Sequence, residues 1–149
     1  MTTDRKTRGG VRRIFPLVAI FFCLVGFIDA SYLTYHHYTA EPVPCSITGG
    51  CEMVLTSDYA TFYDIPIAIF GAAAYIVALV LALIATSGRR WAWWLYGLQT
   101  LVMAAFSGWL IYVQANYIGA FCQFCLLSAG TSFTIFLIFL ISLAFRSRG

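Results

Sequence analysis

Four long apolar stretches, at 14–35, 65–86, 91–112 and 122–145, constrain this chain more than any other feature. Each has about the 20 residues that a helix needs to cross a hydrocarbon core about 30 Å thick. In lipid only helices and closed barrels satisfy their own backbone groups, and these runs lack the period-2 alternation of barrel strands. The expected fold is an all-α membrane protein, a bundle of four transmembrane helices. Composition agrees: 61% of residues are hydrophobic and only 10% charged, with a mean hydropathy of +0.84. A soluble domain averages about half apolar and about a quarter charged. Disordered chains need low hydrophobicity and are excluded by the same numbers. With 149 residues, the expectation is a single membrane domain over 1–149, with any soluble partner a separate chain. The first run has basic residues before it, as a secretory signal would. At 22 residues, without a small-x-small cleavage site, it reads instead as a retained helix.

Charge sets the expected orientation. Arg5, Lys6, Arg8, Arg12 and Arg13 precede the first run, Arg89 and Arg90 separate the second and third, and Arg146 and Arg148 follow the fourth. By the positive-inside rule both termini and the 87–90 turn are expected in the cytoplasm. The 36–64 and 113–121 loops then face outward, and the first of these carries Glu41, Glu52, Asp58 and Asp64. Aromatic rings of the interfacial type flank the runs: Trp91, Trp93 and Trp94 on one side, Tyr35, Tyr112 and Tyr117 on the other. The net charge of +3 therefore reads as cytoplasmic anchoring, with no nucleic-acid partner. A 29-residue outer loop is too long for a mere connector, and 56–64 is expected to form a short interfacial helix or lid. Pro66 suits the first turn of the second span.

That topology sorts the five cysteines. Cys45 and Cys51 lie in the outer loop, Cys122 and Cys125 at the outer end of the fourth span, and Cys23 within the first. Four of the five thus face an oxidising compartment, and Cys23 reads as a small buried hydrophobe. Cys122-Gln123-Phe124-Cys125 is a CxxC opening a helix. Its spacing sets both sulfurs on one helix face, and the helix N-terminus stabilises a thiolate on the first. Cys45 and Cys51 form a second pair on a loop that Gly49 and Gly50 allow to turn back. Two dithiols on one face can hand electrons from a soluble thiol to a lipid-soluble oxidant through mixed disulfides. Two structural disulfides would give the same even count. Four cysteines could also hold zinc, although the first pair lacks the usual knuckle spacing. A CxxC at a helix start suits exchange better than stapling, and no metal is expected.

The arrangement Cys45-x5-Cys51, Val54, Ser57, Pro66, Phe70-Gly71 and Cys122-x-x-Cys125, with Asp29-Ala30-Ser31-Tyr32-Leu33 ending the first span, resembles the vitamin K epoxide reductase family, specifically its bacterial homologues. The resemblance covers about 14–145. It implies a four-helix bundle around a quinone, with Cys122 and Cys125 as the active-site pair and Cys45 and Cys51 as the shuttle pair. Ser57 and Cys125 would lie at the quinone. The implied activity is that of a disulfide-forming thiol:quinone oxidoreductase. Electrons would pass from a periplasmic thioredoxin-fold thiol oxidase to ubiquinone or menaquinone. Many relatives carry that partner domain fused at the C-terminus; here the chain stops at Gly149, so a separate partner is expected. The implied location is a bacterial plasma (inner) membrane, with the active site extracytoplasmic. By analogy Cys45 would face Cys122 and Cys51 the partner. Animal members hold the vitamin K ring oxygens with an Asn and a Tyr whose positions here are Ile67 and Ala129, which weakens epoxide reduction as an alternative. Many relatives have Gly where Asp64 stands. A disulfide-stapled scaffold is a further alternative. Another family of four-helix, quinone-linked disulfide generators carries its CxxC near the second span, the opposite order to this chain.

Among the remaining residues, Asp29 is an intramembrane acid, read either as a proton relay or as a structural hydrogen-bonding group, the latter favoured. His36 and His37 read as solvated interfacial side chains. Gly71–Ala74 and the small residues at 104, 105, 107 and 108 mark close-packed helix faces.

Overall fold

Apolar runs of this length, with prolines only near their starts at Pro16 and Pro66, have one way to satisfy their backbone in lipid, and the chain takes it four times. The computed structural model describes residues 2–148, with side chains described from Arg13 onward. The side chains of Arg5, Lys6, Arg8 and Arg12 lie outside the described ones. Helix α1 runs Thr2–Thr39, α3 Ile67–Thr86, α4 Arg90–Val113 and α5 Gln123–Ser147, with a short helix α2 at Cys51–Leu55. The four long helices are each long and apolar enough to cross a membrane. At a rise of about 1.5 Å per residue, even the 20-residue α3 matches a hydrocarbon core of about 30 Å. The helices form a closed ring: α1 packs on α3 and α5, and α4 packs on the same two.

The apolar runs mark the helices closely, and the differences are at their ends. Pro66 does not enter the first turn of α3. It is the residue before it, in extended backbone. Helix α4 continues beyond 112 through one wider turn, Gln114–Ile118, and stops at Gly119, whose φ of 72° is the left-handed cap that glycine adopts without strain.

The segment expected to form a helix or lid over 56–64 is not helical. The short helix lies earlier, at Cys51–Leu55, and Thr61–Phe62 pairs antiparallel with Ile65–Pro66. Between those strands Tyr63 and Asp64 take φ of 51° and 63°, the two left-handed residues of a tight hairpin turn. This accounts for Asp64 where many relatives have Gly: Asp is among the few residues that tolerate that backbone.

One end of the bundle, the loop end, is capped by residues 40–66 and 119–122. The other, the turn end, holds the 87–89 connection. Between them runs a core of Ala19, Cys23, Ala78, Ala82, Tyr96 and Ile135, each under 2% exposed. Gly97 lets the Phe139 ring lie directly on α4, where any Cβ would overlap it. Trp91 and Trp94 face outward as expected of interfacial rings, but Trp93 does not. It stacks on Tyr96 at 4.6 Å and 6° and donates its indole N–H to Ser142 at 2.8 Å. Helical spacing turns residue 93 about 100° away from its neighbours, toward the bundle interior.

Candidate functional site

At the loop end the four cysteines singled out by spacing converge. Cys45 and Cys51 are joined as a disulfide, their Cα atoms 5.9 Å apart, while Cys122 and Cys125 are free thiols. Cys51 and Cys122, both 0% exposed, belong to one buried cluster with Leu33, Val43 and Val54, against which Cys45 and Cys125 pack. Glycine makes this approach possible. Gly50 lies against the 120–121 backbone so closely that a Cβ would come 2.7 Å from the Phe121 carbonyl oxygen. The residue after Gly50 and the residue after Phe121 are the two buried cysteines. Gly49, at φ 66°, supplies the turn that brings the chain back.

Side chains pin the loop in place. The Ile47 N–H donates to Gln123 Oε1 at 2.9 Å, tying the loop between its two cysteines to the residue between Cys122 and Cys125. The Val43 N–H donates to a Glu52 carboxylate oxygen at 2.9 Å. The Cys122 N–H donates to Oε1 of the buried Gln114 at 3.0 Å. The spacing of cysteines gave no notice of Gln114 or Gln123. The available signal was an amide side chain beside or within an apolar run, where it needs a partner.

Cys122 is the N-cap of α5, one position outside the spanning helix. Its sulfur accepts the Cys125 N–H at 3.4 Å, the role that Ser or Asp plays at other helix starts. The Cys122 thiol is lowered to about 7, chiefly by a hydrogen bond from the Cys125 side chain and further by the N–H groups of Cys125 and Phe124; burial opposes this. This favours ionisation of Cys122 to the thiolate, the form that attacks and is exchanged in disulfide chemistry.

Cys125 points elsewhere, into a cavity of about 240 Å³ among α1, α3, α4 and α5. An apolar cavity of about 150 Å³ accepts a benzene-sized ring, so this one has room for a larger flat head group. Its wall is mostly hydrocarbon, with a few polar groups from Ser57, Tyr75, Gln99, Ser107 and Ser128. Ser57 donates its hydroxyl to the Val54 carbonyl at 2.7 Å, which fixes the end of α2 beside the cavity. Ile67 and Ala129 also line it. Among the described residues no group of three or more His, Cys, Asp or Glu is placed to hold a metal ion.

Burial separates the two loop cysteines. Cys51 is fully buried in the cluster that holds Cys122, and Cys45 is partly exposed and packs against it, whereas the resemblance implies Cys45 toward Cys122. The cause is local: Cys51 opens α2, whose buried face also carries Val54, while Cys45 sits in the irregular stretch before Gly49. Cys23, by contrast, is packed in the core as expected.

A family model described as the Vitamin K epoxide reductase family matches residues 17–140. The thiol-disulfide oxidoreductase LTO1 of Arabidopsis thaliana is 35% identical over a match of 121 aligned positions, with 73% of this chain and 31% of that protein covered. The chain thus spans about a third of the length of that relative.

Proposed function

Because the chain belongs to the vitamin K epoxide reductase family, we propose that it is a thiol:quinone oxidoreductase supporting disulfide bond formation. It takes electrons from a thioredoxin-fold dithiol protein, passes them through Cys45 and Cys51 to Cys122 and Cys125, and delivers them to a membrane quinone, ubiquinone or menaquinone. One observation carries this reading: within a single CxxC, Cys122 lies in the buried cluster with the loop cysteine and Cys125 in the wall of a cavity sized for a ring. A structural staple has no use for that division.

The chemistry balances as a chain of exchanges. A partner thiolate attacks Cys45, breaking its bond to Cys51, and the second partner thiol displaces Cys45 to leave the partner oxidised. Cys51 attacks Cys122 of the oxidised inner pair and releases Cys125. Cys45 then attacks Cys51, restoring the loop disulfide and leaving Cys122 and Cys125 reduced. A quinone, when bound, supplies a two-electron acceptor. Cys125 borders its cavity, and Ser57 holds the cavity edge. Ile67 and Ala129 offer no hydrogen bond to a ring oxygen, which favours quinone over epoxide as substrate.

The distribution of Lys and Arg supports cytoplasmic termini and an extracytoplasmic site. A bacterial plasma membrane and a membrane domain over 1–149 complete the proposal. The test is quinone reduction by purified protein in detergent, with a reduced thioredoxin-fold donor and short-tailed ubiquinone or menaquinone. Native protein is expected to turn over, and Cys122→Ala and Cys125→Ala to be inactive. Native protein inert with both quinones while all four cysteines are paired would instead identify a stapled scaffold. Order is tested by trapping: Cys51→Ser is expected to accumulate the partner-linked species through Cys45, and accumulation in Cys45→Ser alone would reverse the order.

A further inference from the structure

One polar group beside the cavity has no part in the thiol relay. Asp29 is 6% exposed, and its Oδ2 atom is buried without a hydrogen-bond partner. An unpaired carboxyl oxygen in a membrane interior is costly, and packing alone gives no reason to keep it. It lies on α1 one turn from Gly26 toward the loop end. Helix α3 packs on this stretch of α1 on either side of Asp29, Gly71 against Ala30 and Tyr75 against Gly26, and Ala30 lines the cavity together with Tyr75 and Cys125. Cys23 sits deeper on α1 itself, in the buried core cluster that also holds Tyr75 and Tyr96 of α4.

Tyr75 is tightly placed. Its ring rests on Gly26, where any Cβ would overlap it. Its hydroxyl donates to the Ser128 carbonyl at 2.7 Å and stands 3.0 Å from Ser132 Oγ. These contacts fix the phenol in the wall of the cavity that Cys125 lines, beside Ser128, the residue one turn further along α5. One turn is about 5 Å of axial rise, the scale of a single quinone ring.

Resting on the thiol:quinone reading above, we propose that Tyr75 and Asp29 supply one of the two protons consumed in quinone reduction. Tyr75 is the catalytic residue at the ring oxygen, and Asp29 restores its proton. As Cys122 and Cys125 form their disulfide, two S–H bonds break and the electron pair passes to the acceptor. Tyr75 gives its O–H proton to one ring oxygen, the Asp29 carboxyl returns a proton to the phenolate, and Asp29 takes up the proton lost by Cys125. The proton lost by Cys122 at the loop end balances the one gained by the other ring oxygen. Ser132 Oγ holds the phenol oxygen while its O–H turns from the Ser128 carbonyl toward the ring.

The experiment uses the full chain in detergent, dithiothreitol as donor and a short-tailed ubiquinone, comparing native protein with Tyr75→Phe, Asp29→Asn, Asp29→Glu and the double variant Tyr75→Phe/Asp29→Asn. Loss of a positioned acid is expected to lower kcat about 100-fold in each of the first two. Quinone Kd, read from tryptophan quenching, stays within about two-fold, and Asp29→Glu recovers most of the rate. The double variant is no slower than the slower single one, because both residues serve one path. Without any quinone, the infrared difference between oxidised and reduced protein is expected to contain a carboxyl band that vanishes in Asp29→Asn. Folded variants with native kcat, or a loss carried entirely by Kd, would overturn the proposal. So would the absence of that band, and if Tyr75→Phe fails to fold, Asp29→Asn and its band decide alone. Native protein that turns over alongside equally fast variants refutes only this proposal, whereas native protein inert with quinone refutes the thiol:quinone reading together with it.

Discussion

The two ends of the bundle treat buried thiols in opposite ways. Toward the turn end, Cys23 is 0% exposed among alanines and aromatic rings, in a core so close-packed that the Phe139 ring lies on bare Gly97. Toward the loop end, Cys122 is equally buried, yet it caps a helix, receives hydrogen bonds and has a second thiol beside it. Burial therefore does not decide whether a thiol is reactive; the donors turned toward it do. The same contrast applies to volume. The turn end fills its space, while the loop end keeps a cavity of about 240 Å³ and an unpaired carboxyl oxygen.

The largest expected effect would break the comparison outright. Cys125→Ala removes the thiol at the cavity and is expected to abolish quinone reduction, whereas Cys23→Ala keeps turnover within about two-fold and lowers stability by about 1 kcal/mol. Thermal unfolding and turnover on the same preparations separate the two, and comparable activity loss from both would mean that Cys23 shares in the chemistry. Two glycine substitutions come next. Gly97→Ala is expected to cost about 1–3 kcal/mol by overpacking Phe139. Gly50→Ala drives the loop off the Phe121 carbonyl and is expected to slow partner-driven turnover about ten-fold, with a smaller change in Tm. If Gly50→Ala only destabilised, the loop contact would be structural.

A finer test concerns protonation. Because the Cys122 thiol is lowered to about 7, thiolate absorbance of the reduced protein is expected to rise with pH through about 7. In Cys125→Ala the principal donor is gone, so the midpoint is expected to move upward. An unchanged midpoint would assign the stabilisation to the helix N-terminus alone. The smallest effect is at the hairpin, where Asp64→Gly is expected to stabilise by a few tenths of a kcal/mol, roughly, with turnover unchanged, since glycine adopts φ near 63° without strain.

Much of this protein was legible in its sequence. The apolar runs determined four helices because lipid leaves the backbone no other solution, and the CxxC opening the last run marked the two free thiols of the loop end, one of them in the cavity wall. Proximity across the fold was not legible. Nothing in a linear pattern says that Gly50 meets Phe121, that Cys51 is the loop cysteine sealed beside Cys122, or that Gly26 seats Tyr75. Trp93 looked like its exposed neighbours, and a 100° turn per residue took it inward. Local sequence determines which elements form, because propensity and solvation act over a few residues. Which side chains then share a cavity depends on how four helices pack, and that only the tertiary structure decided.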